Sequence, residues 1–144
     1  MSNGENNLQF ICKNKEDLKI ISAYSQDSIA TVKDMVFLKK NKTFVMIVNR
    51  FMWEDALKEN KRIRSAVKFE EVLQVKSKNI NQKNKNKVLE CLAIKSSEIF
   101  NQNHEINIFF AGDSAVTLIA EAIEVVMRDL GKPWKVRHVP AHKI

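Results

Sequence analysis

The chain has 144 residues, of which 44% are hydrophobic and 28% are charged, a composition typical of globular proteins. That length predicts one domain, which is large enough to bury a core without disulfide or metal cross-links. No apolar run approaches the roughly 18 residues that a membrane helix needs, and the amino terminus lacks the apolar segment of a secretory signal. We therefore predict a cytoplasmic protein with no transmembrane segment.

The net charge is +7 and the sequence pI is about 9.5. This balance favours attraction to nucleic acid, anionic lipid or an acidic partner. Most of the cations are lysine and asparagine is frequent, as in AT-rich genomes, so we weigh genome composition above nucleic-acid binding. Arginine, which binds phosphate through two parallel hydrogen bonds, is scarce. We predict that Cys12 and Cys91 are reduced and buried.

The first half of the chain predicts one helix among several strands. Residues 1–7 are polar, and we predict that they are disordered. Alternation at Leu8, Phe10 and Cys12 predicts a strand. Asn14 is a suitable N-cap for a helix over about 15–26. Further strands are predicted at 29–32, 35–39 and 43–53.

The second half predicts more strands and a final helix. A loop is predicted over 54–65, a strand over 67–75 and a solvated hairpin loop over 76–87. Strands follow at 88–94, 106–110 and 116–118, and Gly112-Asp113 predicts a two-residue type II′ hairpin. Apolar residues at helical spacing then predict an amphipathic helix ended by Gly131 and Pro133. This apolar stripe consists of Ile119, Ile123, Val126 and Leu130.

These elements predict an α+β fold. In it, an antiparallel curved sheet or barrel of about seven strands is capped by the C-terminal helix, as in pleckstrin-homology-like domains. A two-layer α+β sandwich is the alternative. We predict one β-rich globular domain over 8–131, with 132–144 forming a tail packed on it.

Polar residues interrupt the most apolar strand near its end, where binding sites are commonly built. Arginine side chains in such a place suit a carboxylate or a phosphate group. We favour a second interpretation, a structural ion pair between Arg50 and Glu54, with Phe51 and Trp53 packed at the barrel mouth. The candidate ligand-binding residues are Asn49, Arg50, Trp53, Glu54, Arg62 and Arg64.

No nucleophile motif or phosphate loop is present in the sequence. His138 and His142 are spaced i, i+4, but Pro140 between them predicts an extended segment, so they do not predict a metal site. We therefore predict no catalytic residues, no metal and no cofactor. The predicted function is a non-enzymatic binding or adaptor domain with a protein partner. One alternative is an anion-binding module for nucleic acid, anionic lipid or an acidic partner, through Arg50, Arg62, Arg64 and the basic surface of 58–87. The other is an enzyme on a small anionic substrate, with Arg50 as clamp and Glu54 as acid or base.

Several short motifs in combination resemble the bacterial family known as domain of unknown function 2948. The resemblance runs from about Leu18 to His142. It implies a small cytosolic bacterial protein with no assigned activity, and it supplies no catalytic residues to carry over. Met52 departs from the family, which usually has an acidic residue there, and Lys33 stands where glycine is frequent. The motifs are Asn49-Arg50-Phe51-x-Trp53-Glu54, Arg62-x-Arg64-Ser65-Ala66-x-x-Phe69, Phe110-Ala111-Gly112, and Asp129-Leu130-Gly131-x-Pro133-Trp134 with Pro140-Ala141-His142.

Overall fold

The structure is a computed structural model that describes residues 8–98 and 102–140, so the segment 1–7 predicted to be disordered lies outside it. Within these two ranges, none of the helical segments has the length and the apolar composition that a membrane span requires. They contain one α-helix, α1 (Lys15–Ser25). The strands are β1 (Gln9–Cys12), β2 (Ile29–Thr31), β3 (Met35–Leu38), β4 (Thr43–Phe51), β5 (Lys61–Phe69), β6 (Val72–Lys78), β7 (Val88–Glu98), β8 (His104–Phe110), β9 (Ser114–Ala120) and β10 (Val125–Lys135).

All the strands belong to one antiparallel sheet. Its order is β1-β10-β5-β4-β2-β7-β8-β9-β6. The long strand β4 pairs with β5 along one edge, and with β3 and then β2 along the other. Strands β3 and β6 each pair on one side, and no pairing joins them in the described chain. The antiparallel pairing was predicted, but the sheet is not closed into the expected barrel.

The predicted C-terminal helix is wrong, because that segment forms β9 and β10. Its apparent helical stripe combined residues of two strands with Ile123 in the turn between them. The segment is rich in β-branched residues, which favour strands over helices. The buried side chains show the strand period of two, at Val116, Leu118 and Ala120 and then at Val125, Met127 and Asp129.

The α+β class and the count of about seven strands are also wrong. Part of the predicted loop over 54–65 is the beginning of β5, and the predicted strand over 67–75 is divided into β5 and β6. The division occurs at Glu70-Glu71, where Glu71 has a left-handed φ of 58°. Neither the pleckstrin-homology-like barrel nor the two-layer sandwich therefore describes this fold.

The helix that packs on the core is the N-terminal one. Its side chains Leu18 and Ile21 are buried in the same apolar cluster as Met46 and Val48 of β4. Burying an aliphatic side chain of this size contributes about 1.5–3 kcal/mol. As predicted, Asn14 caps the helix, because its side chain accepts a hydrogen bond from the backbone N–H of Asp17 at 2.8 Å.

The hairpin predicted at Gly112-Asp113 joins β8 to β9. Its loop has three residues rather than two, since Phe110 pairs directly with Ser114. Both Gly112 (φ 81°) and Asp113 (φ 59°) are left-handed, a conformation that glycine and aspartate tolerate. The sequence thus identified the hairpin but not its turn type.

The two cysteines are free and buried, as predicted. Burial raises the pKa of the Cys91 thiol to about 12. Burial also raises the pKa of the Cys12 thiol. Because the reactive form of cysteine is the thiolate, both side chains act as small apolar groups at neutral pH.

Candidate functional site

Arg50 lies on the inner face of β4 and is completely buried. Its Nε and Nη2 donate to the two carboxylate oxygens of Asp129, each at 2.8 Å. Nη1 and Nη2 donate to Glu54 at 3.0 and 2.7 Å. The guanidinium carbon also lies 5.4 Å from the centre of the Tyr24 ring. Arg50 therefore uses its forked donors in two bidentate ion pairs within the protein.

Asp129, on β10, connects Arg50 to two further strands. Its oxygens accept hydrogen bonds from the Ser65 hydroxyl of β5 and from the backbone N–H of Leu8 at 3.0 Å, just before β1. Burial by itself raises the pKa of Asp129, but the hydrogen bonds from Arg50 and Ser65 outweigh it and the pKa is lowered. We call Arg50, Glu54, Ser65 and Asp129 the Arg50 cluster.

Arg62 and Trp53 hold the connection between α1 and β2. Arg62 Nη1 donates to the backbone oxygen of Asp27 at 3.1 Å, and Trp53 Nε1 donates to that of Gln26 at 2.9 Å. Both side chains also contact Phe51, with Arg62 over the ring at 5.8 Å and Trp53 edge-on at 4.6 Å. Burial lowers the pKa of Arg62. These contacts give both residues a clear structural role.

The remaining two candidate residues lie on the outer face of the sheet. Asn49 and Arg64 are direct cross-strand neighbours on β4 and β5. The backbone oxygen of Asn49 accepts a further hydrogen bond from Arg62 at 2.9 Å. Arg64 is exposed to solvent. The six candidate residues thus divide between the interior, the α1–β2 connection and the outer surface, and they do not line one pocket.

A cleft of about 640 Å³ lies beside the turn that follows β4. Glu54 is the one candidate residue in its lining. Lys61 in this cleft forms an ion pair with Asp55 at 3.0 Å and approaches Glu59 at 3.8 Å. Among the described residues, no group of three or more His, Cys, Asp or Glu side chains is arranged to hold a metal ion. Because Arg50 does not line this cleft, the cleft lacks the substrate clamp that the enzyme alternative requires.

A second concave feature lies where the sheet fails to close. We call the gap between β3 and β6 the seam. Its two ends are fixed, because the backbone N–H of Val72 donates to Lys42 O at 2.8 Å and that of Lys33 donates to Lys85 O at 3.0 Å. Between these ends lies a pocket of about 160 Å³. The lining includes half-buried Met35, Phe37, Val75 and Ile80, buried Val32, Phe44 and Val116, and the more exposed Ser77, Gln82 and Lys85.

Both borders of the seam are basic. Residues 33–42 contain four lysines and one acidic residue, and residues 72–89 contain five lysines and no acidic residue. The structure describes ion pairs for Lys42, with Glu121, and for Lys78, with Asp113. The other border lysines are exposed and have no described ion pair. The sequence signal for this surface was the isolated Ile80 within a long acid-free, lysine-rich segment.

The comparisons with known proteins give a family but no activity. No curated protein matches the chain, and no solved structure matches it. Residues 8–142 match the model of a family described as a protein of unknown function, DUF2948. This match covers nearly the whole chain, including the Arg50 cluster and both borders of the seam, and the chain therefore belongs to the DUF2948 family.

Proposed function

We propose that this domain is a non-enzymatic binding module that docks an acidic segment of a protein partner on the seam. One observation carries the proposal, namely an open pocket, lined mainly by apolar residues, between two lysine-rich borders. Exposed lysines attract an acidic segment at long range, and apolar contact then holds it in place. Under this proposal, the excess positive charge of the chain lies on a surface that also has a pocket for apolar contact.

The apolar surface around the seam favours a protein partner over nucleic acid. Four aliphatic side chains of the borders are exposed, and apolar contact of this kind suits a protein partner better than a nucleic acid. Neither border contains an arginine, and sequence-tolerant binding of single strands needs exposed aromatic rings among the cations. The exposed aliphatic residues are Val36 (46%), Leu38 (46%), Leu73 (40%) and Val88 (56%).

For the six candidate ligand-binding residues, we propose mainly structural roles. Arg50 and Glu54 form an ion pair, and Trp53 and Arg62 bind backbone oxygens. These contacts support stabilisation rather than ligand binding or catalysis. Arg64 is exposed, and we propose it as a secondary contact for an acidic partner. The cytoplasmic location, the bacterial origin, and the division into 8–131 and a tail of 132–144 stay predictions.

Selection from a displayed library of random peptides tests the proposed function. We expect the full chain to enrich peptides that are rich in Asp and Glu. Charge reversal of Lys83, Lys85 and Lys87 to Glu weakens the binding of an enriched peptide about tenfold or more, and salt weakens binding to the original chain. Fluorescence anisotropy with the labelled peptide measures both effects.

The matched control reverses three exposed lysines beside and on α1, at Lys13, Lys15 and Lys19. This variant has the same net charge as the seam variant, so equal loss of affinity in both variants contradicts a defined docking surface. Single-stranded DNA and vesicles containing phosphatidylserine form two further arms. Tight binding to either one without any enrichment of acidic peptides contradicts a protein partner.

A further inference from the structure

We infer that the seam pocket receives one aromatic side chain from the acidic segment, an inference that rests on the proposed function. The pocket is apolar on its walls, through Met35, Phe37, Val75 and Ile80, and apolar on its floor. Its more polar residues are Ser77, Gln82 and Lys85, of which Lys85 carries a positive charge. The pocket thus combines seven apolar lining residues with one cationic residue, Lys85, which suits an aromatic residue next to acidic ones.

The size of the pocket matches about one aromatic ring. An apolar cavity of about 150 Å³ accommodates a benzene molecule in another protein, and the seam pocket has about 160 Å³. A buried aromatic anchor in a fitted pocket is the usual energetic centre of a protein interface. Met35 in the lining is flexible and favours contact with aromatic rings.

The ends of the seam argue against the insertion of a complete extra strand. The hydrogen bond from Val72 to Lys42 O closes one end, and those from Val32 to Lys87 O and from Lys33 to Lys85 O close the other. An inserted strand would have to fit between these bonds, and pairing along the whole of β6 would break the one donated by Val72. A single side chain enters between them without disturbing the backbone.

A double-mutant cycle between the chain and the peptide tests this inference. The probe is an acidic peptide with one central phenylalanine, and the second peptide has alanine at that position. With the unmodified chain, we expect the change to alanine to weaken binding about tenfold to a hundredfold, as the burial of one large side chain predicts.

The blocking variant is Ser77→Phe, because Ser77 is exposed and lines the pocket on β6. Its new ring occupies the pocket, so the two peptides are expected to bind this variant with equal affinity. The control Ser97→Phe places a ring at an exposed position of β7 that does not line the pocket. This control retains the preference for phenylalanine.

The outcomes separate the inference from the proposed function. If both peptides bind the unmodified chain equally, and the reversal of Lys83, Lys85 and Lys87 still weakens binding about tenfold or more, the anchor is wrong and the acidic docking surface stands. If Ser77→Phe retains the full preference for phenylalanine, the ring binds elsewhere and the inference is overturned. If neither peptide binds and the library enriches no acidic sequence, the proposed function itself is contradicted.

Discussion

The Arg50 cluster and the seam hold positive charge in opposite ways. Arg50 is completely buried, and its donors are taken by Asp129 and Glu54. The lysines of the seam borders are exposed, and most of them have no described ion pair. A buried cation that is bonded to carboxylates of its own chain is not available to a partner, whereas an exposed cation is. Arginine in a sequence is therefore a poor guide to a binding site until its partners are known.

The largest expected effect is on stability, from Arg50→Ala. Removing one partner of a buried ion pair leaves an uncompensated charge, so we expect the free energy of unfolding to fall by about 3–5 kcal/mol. Urea denaturation measures the change. Arg64→Ala, on the outer face of β5, is the control and is expected to change stability by less than about 0.5 kcal/mol. Similar losses in the two variants would remove the contrast between buried and exposed cations.

The Asp129 carboxylate gives the cluster a pH dependence. Because its pKa is lower in the folded protein than the unfolded value of about 3.9, its stabilising contribution is complete above that value and is lost as the pH falls through the folded pKa. Asp129→Asn is expected to cost about 2 kcal/mol or more near pH 7. The gap in unfolding free energy between this variant and the original chain should narrow below about pH 4. A gap that stays constant down to acid pH would contradict this role for Asp129.

A smaller effect is expected from the tether at the α1–β2 connection. Trp53→Phe retains an aromatic ring against Phe51 but removes the hydrogen bond to Gln26 O, so we expect a loss of about 1 kcal/mol. Thermal or urea unfolding measures it. Trp134→Phe is the matched control, because Trp134 is 42% exposed and no described hydrogen bond is lost. If Trp53→Phe is as neutral as this control, the tether does not contribute to stability.

Local features of the fold were predictable from the sequence, and long-range ones were not. The helix with its Asn14 cap and the hairpin at Gly112 depend on neighbouring residues, and both are present. The segment 119–130 was wrong because Ile119 and Ile123 fit a helical spacing by coincidence. No local feature of the sequence shows that β9 pairs with β6. The alternation of apolar residues with a period of two was the signal that should have identified this segment as strands.

The same division applies to the candidate site. The ion pair of Arg50 with Glu54, four residues away, was one of the two interpretations that the sequence offered, and it is present. Asp129, the fully buried second partner, lies 79 residues away and could not be identified from the sequence. The seam pocket lies between β3 and β6, which do not pair with each other. Their proximity was therefore even harder to predict from the sequence.

The short strand β1 has a consequence for how the chain can be shortened. It covers the edge of β10 from Val125 to Arg128, and Leu8 just before it exchanges hydrogen bonds with Asp129. Removing residues through Cys12 would leave a long strand with bare backbone donors and acceptors, which is a template for pairing between molecules. Shortened chains that begin at α1 are therefore expected to aggregate.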